Sequence, residues 1–194
     1  MRIRLTLCLF LMIAAVLAIP HRAQAATFSA DLTVTQNGRA HSGKIYVRDN
    51  AIRQELRLKN EVQITIIRLD QKLVWTLQTA NRTFLETAYL GTQTDLQSYG
   101  IKTEDIRETR TIGIEQLNGY RCTVIQYRFN DPKIMMTQWI ATKLNFTIKT
   151  EIHGVKGFNL TQELKNIVET PAADTVFEIP AGYQKISFTS PDTP

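Results

Sequence analysis

The sequence predicts an all-β, mainly antiparallel domain of about eleven strands with one or two short helices. Three observations predict it: apolar and polar residues alternate with a period of two almost from Thr27 to the end, turn dipeptides separate the alternating runs, and hardly any sequence is left over for helices. The first run places Phe28, Ala30, Leu32 and Val34 on one face, and Ile45 and Val47 continue it in the second. After Asp49-Asn50 the face passes to Ile52, Leu56 and Leu58, and Lys59-Asn60 turns the chain again. Val62, Ile64 and Ile66 follow, then Leu73, Trp75 and Leu77 beyond Asp70-Gln71, then a shorter strand around Phe84.

Alternation lapses between Ala88 and Thr103, where Asp95-Leu96-Gln97-Ser98 is placed in a loop with a short helix. It resumes over Arg107 to Leu117 and Tyr120 to Phe129, joined by Asn118-Gly119, a strong hairpin signal because both residues tolerate positive φ. Ile134 to Ala141 and Phe146 to Ile152 form the next hairpin, and Phe158, Leu160 and Leu164 mark another strand. A helical turn at Pro171 to Asp174, capped by Thr170, and a short strand at Val176 to Ile179 close the chain. With so little helix to cover it, the sheet must cover itself, as a packed sandwich or as a barrel with room inside.

Residues 1–25 read as a cleavable secretory signal: Arg2 and Arg4, an apolar run from Leu5 to Ile19, Pro20, and Ala23-Gln24-Ala25 as the cleavage motif before Ala26. The run falls short of the roughly 20 residues a membrane-spanning helix requires. A single domain, 26–194, remains, exported and soluble, with no transmembrane segment after cleavage. Three of the 23 basic residues leave with the signal, so 20 face 18 acidic ones and the net charge falls to +2. Scattered Lys and Arg at that balance argue against a nucleic-acid partner.

Residues suited to chemistry are sparse. His41 and His153 have no metal-ligand spacing, and no cofactor motif occurs. Cys122 alternates with Arg121 and Thr123 on a strand, as a buried structural cysteine would. Glu104, Asp105 and Glu108 flank Arg107 and Arg110 and read as a solvated, neutralised face. Met135, Met136 and Trp139 form a pliable apolar patch, suited either to core packing or to an apolar ligand.

Several segments together resemble the periplasmic lipoprotein-carrier superfamily: Phe28 to Gln36, then Gly43-Lys44-Ile45-Tyr46-Val47, Asn50-Ala51-Ile52-Arg53, Asp70-Gln71-Lys72-Leu73-Val74-Trp75, and Phe177-Glu178-Ile179-Pro180-Ala181-Gly182-Tyr183. The chain is most similar to an uncharacterised, carrier-like branch. The resemblance implies an unclosed, curled barrel, a periplasmic location and a non-enzymatic role, with a lipid, acyl chain or lipoprotein on the concave face. The helix that precedes the first strand in carriers is missing here, and their Arg-Pro latch is matched only loosely by Arg48 before Asp49. Phe28, Leu32, Ile45, Val47, Ile64, Ile66, Trp75, Trp139 and Phe146 are the residues expected to line the concave face. The alternative reading is an envelope module that docks a protein partner, with no internal ligand.

Overall fold

The computed structural model describes residues 27–59, 61–91, 101–155 and 158–187. The expected signal, the turn residue Asn60 and the helix expected at Asp95 to Ser98 lie outside them. Twelve strands follow in order: β1 (Phe28–Gln36), β2 (Arg39–Arg48), β3 (Ala51–Arg57), β4 (Val62–Arg68), β5 (Leu73–Gln78), β6 (Thr83–Ala88), β7 (Ile106–Leu117), β8 (Tyr120–Phe129), β9 (Met135–Ala141), β10 (Phe146–Val155), β11 (Phe158–Val168) and β12 (Gln184–Ile186). Helical structure among the described residues is confined to 3-10 turns at Thr103–Asp105 and Asp174–Phe177.

All twelve strands belong to one sheet, ordered β12-β6-β5-β4-β3-β2-β1-β11-β10-β9-β8-β7. Two antiparallel meanders, β1 to β6 and β7 to β11, are stitched together by the β1–β11 pair. Among the described strands, only β12 runs parallel to its neighbour, β6. The sheet does not close, because β7 and β12 sit at opposite ends of the order.

It does curl. In a flat sheet β8 would lie about 14 Å from β11, three strand spacings away. Yet Asn118, at the β7–β8 turn, donates its amide to Leu164 O at 2.8 Å and Glu163 Oε1 at 3.0 Å, and Tyr120 Oη donates to Glu169 Oε1 at 2.9 Å. Lys143 reaches the same carboxylate at 2.6 Å. One main core cluster accordingly joins Ile52, Ile67 and Val74 of the first meander to Ile125, Met136 and Ile152 of the second. The architecture is an unclosed, curled all-β barrel.

The Asn118-Gly119 hairpin forms with φ of 50° and 85°, the left-handed pair that a two-residue turn of this hand needs. The C-terminal region differs from expectation. Val176 to Ile179 is not a strand: Asp174–Phe177 is a 3-10 turn preceded by Ala173 rather than capped by Thr170, and the strand comes later, at Gln184–Ile186. The turn forms there because Phe177 is fully buried and Arg53 Nη1 holds the Val176 carbonyl at 3.1 Å.

Candidate functional site

Directly paired residues of antiparallel strands share a face, so the register sorts every side chain to one side of the sheet. The pairs Phe28–Val47–Ile52–Ile67–Val74 form one row, and Ala30–Ile45 and Leu32–Leu164 lie in the same phase. These apolar side chains are buried in the main cluster and define the inner face. Phe146 joins them, its ring edge-on to Phe28 with centroids 5.1 Å apart. Phe28, Leu32, Ile45, Val47 and Phe146 are thus brought together.

Three of the expected lining residues, Ile64, Ile66 and Trp75, take the opposite, outer face, whereas Trp139 falls in an outer row by register and still packs in the main cluster. Ile66 and Trp75 continue a row that runs through Arg53 and Tyr46 to Ser29, and Ile64 belongs to the row of Leu77, Glu55, Lys44 and Asp31. Ile64, Ile66, Trp75 and Leu77 make a separate small cluster. Trp139 lies in the row Val124–Trp139–Lys149–Glu163–Thr33, with Lys149 Nζ 4.4 Å above its ring and its indole donating to Glu115 Oε2 at 2.7 Å. Period two could not select the face here, since Ile64-Thr65-Ile66-Ile67 and Val74-Trp75 are buried on both sides.

What buries the outer cluster is the C-terminal segment after Pro171, laid across it as a strap. Ile179 and Tyr183 pack on the cluster, and β12 pairs with β6. Arg48 anchors the strap twice, with Nη1 2.5 Å from Asp174 Oδ1 and its guanidinium 4.5 Å from the Phe177 ring centroid. Lys185 bonds Glu86 Oε1 at 2.6 Å while Trp75 Nε1 donates to Glu86 Oε2 at 2.9 Å. Those two hydrogen bonds, Lys185 first, hold the Glu86 carboxyl below its ordinary value. Arg48 therefore fastens the C-terminal strap to the outer face of the sheet.

The inner face also carries a polar row absent from the expected lining: Gln162, Thr150 and Gln138, paired across β11, β10 and β9 and all at most 3 % exposed. Gln162 Oε1 has no hydrogen-bond partner among the described residues. The signal was present: each of the three is a polar residue in the apolar phase of its strand, between Leu160 and Leu164, Ile148 and Ile152, and Met136 and Ile140. Burial pushes the neighbouring Tyr127 phenol up to about 12.

Cys122 is buried and free, with its thiol pushed up chiefly by desolvation. Glu108 pairs with Arg110 at 2.5 Å on the exposed β7 strand, and Glu104 lies 3.9 Å from Lys102. Among the described residues, no three His, Cys, Asp or Glu side chains converge on a metal-sized site, and no helix is long and apolar enough to cross a membrane.

A family model described as a domain of unknown function, DUF4412, matches residues 29–145, from β1 to the β9–β10 turn. The chain belongs to the DUF4412 family. Comparison of the sequence with curated proteins yields no significant match. In solved structures, this DUF4412 chain is similar to an uncharacterized conserved protein from Thermus thermophilus, with a TM-score of 0.60 at 12% identity over 84% of this chain and 90% of that one. It is also similar to MucB of Pseudomonas aeruginosa, solved in complex with MucA, with a TM-score of 0.55 at 14% identity over 81% of this chain and 57% of that one. At such identities the likeness is one of fold.

Proposed function

We propose that this DUF4412 protein is an exported, periplasmic, non-enzymatic binding protein of the carrier-like type. It is a single domain from Ala26 onward, and it holds an apolar ligand, such as a lipid or lipoprotein acyl chains, against its inner face. The observation that carries the proposal is an apolar inner wall, continuous from Val74 in β5 through Phe28 to Ile125 in β8, on a sheet that never closes. An open seam gives a chain-like ligand a way in, and a mostly apolar wall with a few polar groups is the usual lining of a small-molecule site. Gln162 would give such a ligand one hydrogen-bond acceptor inside. Phe28 and Phe146 already bury one another, so ligand entry exchanges that contact for contacts with the chain.

Trp75 belongs to the separate outer cluster, so a reporter is placed in the inner wall itself. The test is a Leu32→Trp protein titrated with 11-(dansylamino)undecanoic acid, alongside native mass spectrometry of the purified protein. Saturable energy transfer from position 32, or a lipid-sized added mass, is the expected result. An empty protein with no saturable transfer would sink the proposal.

A second reading rests on β7. This twelve-residue strand ends the sheet, is exposed almost throughout, and displays Ile112 and Ile114 at 51% and 58% exposure. Such an edge suits strand addition by an envelope protein, and MucB, of similar fold, was solved bound to MucA. If this reading holds, the protein is ligand-free and crosslinks to a protein through β7.

A further inference from the structure

At the end of β8 and β9 remote from Phe146, the surface opens into a cleft of about 650 Å³. Its rim carries Arg107, Arg110 and Arg128 against one carboxylate, Glu108, and its floor is formed by Phe129, Ile134 and Met135. Glu108 is committed to Arg110 at 2.5 Å, whereas Arg107 and Arg128 enter no ion pair among the described residues. The rim is therefore two positive charges in excess. The floor is apolar: Phe129 belongs to the main core, and Ile134 packs against it.

The wall of the cleft is held in place. A Cβ on Gly154, which has φ of +84°, would lie 1.8 Å from Lys133 O, so β10 and the loop at Lys133 touch backbone to backbone. Asp131 braces the same loop by accepting from Lys133 N at 2.9 Å on its carboxylate and from Ile134 N at 3.0 Å on its carbonyl. Asn130 N donates to Asp105 O at 2.8 Å, tying the loop to the start of β7.

From this we infer that the cleft is a binding site for an anionic amphiphile, a phosphate monoester bearing an alkyl chain. Guanidinium forks match phosphate oxygens and lose less hydration than ammonium groups. The apolar floor receives the first carbons of the chain. The volume lies within the range of about 300–1,000 Å³ common for small-molecule sites. The cleft borders the main core at Phe129, but its arginine rim does not depend on the interior taking a ligand.

The experiment is calorimetric titration of the purified protein with dodecyl phosphate below its micellar concentration, compared with dodecanol and with inorganic phosphate. Dodecyl phosphate should saturate at one site and bind at least about tenfold tighter than either comparison compound, the ratio expected from a charge-assisted contact on one side and a few buried methylenes on the other. Arg107→Gln and Arg128→Gln should each weaken dodecyl phosphate by about tenfold at unchanged melting temperature, and Met135→Gln should weaken it while leaving its salt dependence intact. Equal binding of dodecanol, or equal binding of inorganic phosphate, overturns the assignment. Dodecyl phosphate binding that ignores both arginine substitutions overturns it too, while leaving the inner-face reading to the position-32 reporter.

Discussion

Single residues hold this fold at places where backbones meet. A Cβ on Gly43 would lie 1.9 Å from Glu55 O, between β2 and β3. Gly43→Ala should therefore cost about 2–3 kcal/mol, as overpacking against backbone that cannot yield, and urea unfolding would measure it. Arg48 separates two kinds of contact. Its ion-pair partner Asp174 has an 87% exposed side chain, whereas the ring it covers, Phe177, is fully buried. Asp174→Asn should thus change stability by less than about 0.5 kcal/mol and Arg48→Ala by about 1–2 kcal/mol in thermal melts. Glu86 sets a pH dependence. Its folded carboxyl is held below the ordinary 4.5 by Lys185 and then Trp75, so its contribution is complete above that value and is lost as pH falls through the folded pKa. Glu86→Gln should flatten the fall in melting temperature between about pH 5 and pH 3.

At the scale of elements, the hairpin of β7 and β8 both turns and fastens. Asn118 adopts positive φ and donates two hydrogen bonds to β11. Asn118→Ala should cost about 1–2 kcal/mol and raise hydrogen exchange at the ends of both strands. This hairpin was legible in the sequence because its signal is local: two adjacent residues determine the turn, and alternation on either side determines the strands. The strap was not. Val176, Phe177 and Ile179 look like the end of a strand, and what bends them into a 3-10 turn is held by Arg48 and Arg53, more than a hundred residues away. Removing residues after Thr170 should leave the main core folded but open Trp75 to acrylamide quenching, with Trp139 unchanged.

For the whole molecule, the sequence was enough to establish an antiparallel all-β chain, but it could not assign both faces of the sheet. Phe28, Leu32, Ile45 and Val47 alternate with polar neighbours, so their common face was readable. Ile64, Ile66 and Trp75 sit in strands buried on both sides, where alternation carries no information about which side is inner. Trp139 shares that ambiguity, β9 being buried from Met136 to Ala141.

The sheet treats its two ends differently. One is finished by β12, a strand of three residues and too short to template another chain, while the other presents the twelve residues of β7. A unit with one sticky end has a valence of one: two copies can join β7 to β7, and growth then stops, because a filament requires two sticky ends on every subunit. By pairing with β6, the three residues of β12 leave the sheet one long edge instead of two.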